Sequence, residues 1–274
     1  MLQELILAAG HTEQHDWRRR WRERNLFDCL AWRDILGRDQ QTVIGISWAV
    51  IGPFLTMLVF TVVFHRIANL QAPGGLPYAL FVFAAMLPWQ FFATVLSESS
   101  ASLLGNANLL SKVYFPRLII PAGAVVTALV DFLITLGLMG LMMLWYGFLP
   151  DWRLLTLPLF LGLACGAALG AGLWLCALNV KYRDFRYIVP FVVQFGLYIS
   201  PVGFSSHVVP EHWQWLYALN PMVGIIDGFR WALLRGEVVL WWPSLLTSVL
   251  LTAALCVSGI RYFRRMERTF ADVI

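Results

Sequence analysis

The residues able to do chemistry in this 274-residue sequence are few and scattered. Its densest ionisable cluster is Lys181, Arg183 and Asp184, which a catalytic membrane enzyme would use as paired acid–base groups near the end of a span. A basic cytoplasmic loop explains the same three residues better. Only two lysines occur, Lys112 and Lys181, and neither sits in the GxxxxGK[ST] pattern whose backbone cradles nucleotide phosphates. Neither HExxH nor GxSxG is present. His11, His15, His65, His207 and His212 fall in loops or tails, and Cys29, Cys165, Cys176 and Cys256 form no CxxC pair. No metal site and no cofactor held by this chain are expected. Asp131 is an acid in the middle of an apolar run, where an ionisable group costs at least about 2.5 kcal/mol to insert into a bilayer. It faces either a helix–helix contact or a water-filled path, and the contact is favoured because no other span carries a basic residue.

What must position these residues is a set of membrane helices. The chain is 59% hydrophobic and 13% charged, with a mean hydropathy of +0.69. A soluble domain of this length needs far more polar surface, so the apolar excess faces lipid. Part of the aromatic excess, 13 Trp and 19 Phe, belongs to interfacial belts. A crossing helix takes roughly 20 apolar residues. Stretches 44–64, 77–96, 118–144, 154–180 and 243–263 qualify, and 188–204 is a shorter sixth broken by Gln194 and Ser200. The expected fold is therefore an all-α integral membrane protein with six transmembrane helices. No apolar leader follows Met1; the first forty residues are polar and basic, with WRRRWRER beginning at Trp17.

Basic residues set the orientation. With the N-terminus cytoplasmic, that side holds Arg18, Arg19, Arg20, Arg22, Arg24, Arg33, Arg38, Lys112, Arg117, Lys181, Arg183, Arg186, Arg261, Arg264, Arg265 and Arg268. The opposite side keeps only Arg66, Arg153, Arg230 and Arg235. Both termini are expected in the cytoplasm. Three intervening segments are more than plain loops. Residues 26–37 place Phe27, Leu30, Ala31 and Ile35 on one helical face, with Arg33 elsewhere, an amphipathic helix suited to the membrane surface. Residues 98–116 are too polar to span and could form a short helix over 102–113. Residues 202–241 are apolar but broken by Pro210, Pro221, Gly224, Gly228 and Gly236. A short helix after Pro221 fits a re-entrant pair better than a full crossing.

Gly162, Gly166 and Gly170 recur every four residues in the fourth span, a pattern for close helix packing within the chain or across a dimer. Pro53, Pro88 and Pro121 can kink their helices. Most of the remaining aromatics lie near span ends. Trp174 and Tyr198 lie deeper, where a ring face serves packing or weak stacking on a sugar equally well.

Three stretches carry a resemblance: RDILGRDQQTVIGISWAVIGPFLTMLVFTVVF at 33–64, LPWQFFATVLSESSASLLGNANLLSKVYFPRLIIP at 87–121 and LNPMVGIIDGFRWALL at 219–234. Together they resemble the ABC-2 type permeases, and most of all the polysaccharide exporters of bacterial envelopes that move O-antigen or capsule. The middle stretch is the specific one. The resemblance implies a homodimer in the bacterial inner membrane joined to two copies of a separate nucleotide-binding subunit, which binds the ATP and magnesium. It implies that residues 106–115 form a coupling helix, with Asn106, Asn108, Leu110, Lys112, Tyr114, Phe115 and Arg117 at the contact. Phe27, Leu30, Arg33 and Ile35 would belong to the interface helix. A lipid-linked polysaccharide would pass along a path lined by the first and fifth spans, with Trp174, Tyr198 and Trp89 as candidate path aromatics. No nucleic-acid partner is expected. The Arg run before residue 26 lies outside the match and is suited to anionic headgroups. Competing readings are a permease for a small hydrophobic drug or lipid, a membrane-embedded transferase using Lys181, Arg183 and Asp184, and a passive channel.

Overall fold

The computed structural model describes residues 47–106, 117–182 and 184–267, and side chains from residue 50 onward; among these every regular element is helical. Helix α1 spans Ser47–Phe60 and continues through a wider π-helical turn at Thr61–Ile67. Then follow α2 (Tyr78–Gly105), α3 (Ile119–Trp145), α4 (Leu157–Lys181, entered through a 3-10 turn at Trp152–Thr156), α5 (Phe185–Ile199), α6 (Glu211–Tyr217), α7 (Pro221–Leu233) and α8 (Trp242–Glu267). Five stretches are long and apolar enough to cross a membrane: Val50–Ile67, Tyr78–Gly105, Ile119–Trp145, Trp152–Lys181 and Trp242–Glu267. The stretch expected at 188–204 differs. Its helix begins at Phe185 and stops at Ile199, and its 15 residues reach about 22 Å, short of the roughly 30 Å hydrocarbon layer.

Helix ends follow local chemistry. Asp151 accepts from the Trp152 N–H at 2.7 Å and starts the turn into α4. After α3, Gly147 adopts a φ of +66°, and the Phe148 N–H reaches the Met143 carbonyl at 2.8 Å. That left-handed closure favours a residue without Cβ. Pro121 falls in the first turn of α3, where its missing N–H leaves no intrahelical bond unmade.

Helix α2 is the centre of the bundle. Residues 80–89 are all buried, and α3, α4 and α7 pack around it. It also corrects the expectation for 98–116, because the helix runs without a break through SESS to Gly105. Ser99, Ser100 and Ser102 donate to the carbonyls of Leu96, Ser97 and Ser99, so their hydroxyls are satisfied inside the helix. Asn179 of α4 donates to the Ser100 carbonyl at 3.1 Å. The serines therefore pack on α4, and the short helix expected over 102–113 falls from residue 107 onward outside the described residues.

Helices α4 and α8 make the closest approach. A Cβ on Gly170 would lie 2.7 Å from backbone atoms of Leu255 and Cys256, and one on Gly166 would lie 2.9 Å from the Thr252 methyl. Two of the three glycines in the stripe thus serve packing inside the chain, while Gly162 faces open space. Helices α1 and α5 are held more lightly. Only Val189 of α5 is buried.

The turns place the elements at two ends. At one end the Tyr78 hydroxyl reaches the Gly203 carbonyl, His65 stacks on Tyr78, Tyr217 donates to Ile199, and Thr247 donates to Ala218. This end carries Arg66, Arg153, Arg230 and Arg235. At the other, Arg117 donates to the Glu267 carbonyl at 2.6 Å. Lys181, Arg186, Arg261, Arg264 and Arg265 lie on that side of the bundle, at the matching ends of α4, α5 and α8.

Candidate functional site

A buried polar arrangement lies where α7 enters the bundle. Asn220 caps α7 by accepting from the Met222 N–H at 3.0 Å, and Pro221 occupies the first turn. The Asn220 amide also donates to the Ser200 hydroxyl at 2.9 Å, tying the cap to the segment after α5. Eleven of the 13 residues of α7 are buried among α2, α4 and α8.

Within this helix Arg230 is 0% exposed. It donates from Nε to the Phe81 carbonyl at 3.2 Å, from Nη1 to Phe204 at 3.0 Å and from Nη2 to Val202 at 2.8 Å. Its guanidinium carbon lies 3.6 Å from the Phe81 ring centroid, within cation–π range. One side chain thereby joins α7, the first turn of α2 and the linker after α5. Asp227, one turn earlier, is also buried, and its Oδ1 has no hydrogen-bond partner among the described residues. Burial, with the Asp227 carboxylate nearby, pushes the Tyr217 phenol far above its ordinary range, against the opposing pull of Arg230. Tyr217 is therefore a neutral donor to the Ile199 carbonyl at 2.9 Å. This constellation holds a backbone in place. It has no nucleophile–base pair, and no His/Cys/Asp/Glu group among the described residues could hold a metal.

Sequence reasoning missed this cluster. In the sequence Arg230 reads only as one of four basic residues on the outer side, although Asp227 and Arg230 stand one helical turn apart in an apolar run, which is the available signal.

A second feature is the face of α5 turned away from the bundle. Tyr187, Phe191, Phe195 and Tyr198 recur along it and are exposed, with the polar Gln194 between them. Phe191 and Phe195 lie 4.1 Å apart by ring centroid. Tyr198, 59% exposed, stacks on Phe60 of α1 at 6.0 Å and 14°. Of the candidate path aromatics, Tyr198 alone lies on this face. Trp89 is 4% exposed and packs its ring against Gly196, so it offers no ring face to a path in this chain. Trp174 stands on the α4–α8 side, stacked on Tyr262 at 4.1 Å. Asp131 is half-buried on α3, with its carbonyl accepting from Thr135 at 2.9 Å.

At the opposite end, Asn106 closes α2 by donating to the Ser102 carbonyl at 2.9 Å, and Arg117 precedes α3 with its bond to Glu267. They flank the segment expected to couple to a partner. Asn108, Leu110, Lys112, Tyr114 and Phe115 lie outside the described residues, as do Phe27, Leu30, Arg33 and Ile35.

The sequence pattern of the ABC-2 type transporter family matches residues 25–234. The chain belongs to this family. The match begins at the expected interface helix and ends where α7 ends, so it takes in the exposed face of α5 and the Arg230 cluster, and leaves α8 outside. Among related proteins, the O-antigen export system permease protein RfbA of Klebsiella pneumoniae is 27% identical over 258 residues, covering 91% of this chain and 96% of its own length. A protein of the same name from Myxococcus xanthus is 28% identical over 209 residues, 76% of this chain and 79% of that one. The polysialic acid transport protein KpsM of Escherichia coli is 24% identical over 221 residues, 77% of this chain and 82% of its own. Membership in the family, with five apolar helices of crossing length, makes this ABC-2 chain a multi-pass membrane protein.

Proposed function

We propose that this chain is the permease subunit of an ABC exporter that carries a lipid-linked polysaccharide, of O-antigen or capsular type, across the bacterial inner membrane. The relatives named for O-antigen export and polysialic acid transport support that cargo. The single structural observation that carries it is the exposed face of α5. Four aromatic rings and Gln194 share a surface that an aliphatic lipid environment does not call for. A polymer of many repeats needs contacts that are individually weak, and ring faces stacking on sugars supply them.

In this reading two copies face each other across α1 and α5 and enclose the path. The linker after α5 completes a sixth crossing, and α6 and α7, as a re-entrant pair pinned by Arg230, cap the path on the outer side. Both termini are cytoplasmic, in keeping with the excess of basic residues at the Arg117 end. ATP and magnesium are bound and used by two copies of a separate nucleotide-binding subunit, in whose groove the coupling helix at 106–115 docks. The permease itself is not an enzyme.

The test is deletion of the gene in its native host, with complementation. Loss of surface glycan and accumulation of the lipid-linked polymer inside the cell are expected. A deletion that leaves surface glycan intact and alters drug sensitivity would point instead to a small hydrophobic cargo.

A further inference from the structure

We propose that the groove between α4 and α8, at the end of α8 away from Trp242, is a binding site for one glycerophospholipid with a net negative headgroup. The groove holds about 440 Å³ and is lined by Trp174, Ala254, Val257, Ser258, Arg261, Tyr262 and Arg265. Arg261 follows Trp242 by 19 residues of continuous helix, about 28 Å, which is close to the hydrocarbon thickness of a bilayer. With Trp242 at one interface, Arg261 lies at the other and Arg265 one turn further into the headgroup layer. Ala254 and Val257 lie on the hydrocarbon side of Arg261.

The two arginines stand four residues apart and so share one helical face. Both are exposed, and neither makes an ion pair with a described residue. Two guanidinium forks one turn apart suit the oxygens of a single phosphate. The aromatic wall beside them is held by two contacts. Trp174 stacks on Tyr262 at 4.1 Å and donates from its indole N–H to the Ser258 hydroxyl at 3.1 Å, fixing α4 against α8 at this depth. The groove is thus cationic in the headgroup layer, aromatic at the boundary and apolar below, the order of chemistry along a phospholipid. It is separate from the α5 face, and the leaflet is the cytoplasmic one on the orientation proposed above. The binding itself does not depend on that orientation.

The test is native mass spectrometry of the full-length protein loaded with phosphatidylglycerol or phosphatidylcholine. Retention of phosphatidylglycerol over phosphatidylcholine is expected, with a loss of about fivefold for each arginine removed. Arg261→Gln and Arg265→Gln should each weaken retention of phosphatidylglycerol, whereas Arg264→Gln, which removes the same charge outside the groove, should not. Ala254→Trp fills the apolar part with both arginines intact and should also weaken it. Equal retention of the two lipids by the unaltered protein overturns the proposal without any variant. So does an equal effect of Arg264→Gln, which would mean diffuse surface charge, or displacement of phosphatidylglycerol by equimolar farnesyl diphosphate, which would mean an isoprenyl diphosphate site.

Discussion

Replacing Arg230 with Met keeps most of the side-chain volume and removes every donor. Two linker carbonyls, those of Val202 and Phe204, then lose their partner, while the Phe81 carbonyl keeps the bond from its own helix. Each buried acceptor left unsatisfied costs about 1–3 kcal/mol. The linker after α5 can relax toward water and recover part of that. Asp227, buried nearby but not within ion-pair distance, loses the weaker attraction of the guanidinium as well. These contributions overlap, so a net loss of about 3–5 kcal/mol is expected, or a fall in the unfolding midpoint on the order of 10 °C for a chain of this size. The assay is thermal unfolding of the purified permease in detergent. Arg230→Lys retains the charge but, as a point donor, cannot fork to three carbonyls, and should fall between Met and the parent. Asp227→Asn conserves shape and leaves the three guanidinium hydrogen bonds in place, so it should cost less than Arg230→Met. A Met variant that melts within about 2 °C of the parent would refute the assignment of Arg230 as the pin of this end.

Gly170→Val should separate α4 from α8 and destabilise the protein by about 1–3 kcal/mol, while Gly162→Ala, with nothing within 4 Å of the new Cβ, should be neutral by the same melting assay. Tyr187→Ala with Tyr198→Ala should reduce surface glycan in a complemented deletion strain while leaving the amount of permease in the membrane unchanged; unaltered glycan would argue against the α5 face as the path. Tyr114→Ala with Phe115→Ala should weaken co-purification of the nucleotide-binding subunit and leave membrane insertion intact, which pull-down from solubilised membranes reads directly.

Much of this protein was legible in its residues before any coordinates. The apolar runs located five helices of crossing length, with α2 ending nine residues beyond its expected 96 and the sixth run too short, because lipid demands a continuous stretch with its backbone bonds made internally. The stretch at 87–121 pointed to the family. Pro221 marked the start of α7, since proline fits a first helical turn. Other features depend on neighbours distant in the chain. SESS reads as the polar end of a span, yet its serines return their hydroxyls to their own helix and lie against α4, so α2 continues to Gly105. Trp89 reads as a candidate path residue, and only Gly196 on another helix explains why its ring is enclosed. Arg230 reads as one outer basic residue among four, and its role appears only when Phe81, Val202 and Phe204, up to 149 positions away from it, converge on its guanidinium. Hydropathy and local propensity act over a single turn or span and are written into consecutive residues. Whether a charged side chain is satisfied, or a ring enclosed, is settled by what folds against it, and for Arg230 and Trp89 those partners lie far away in the chain.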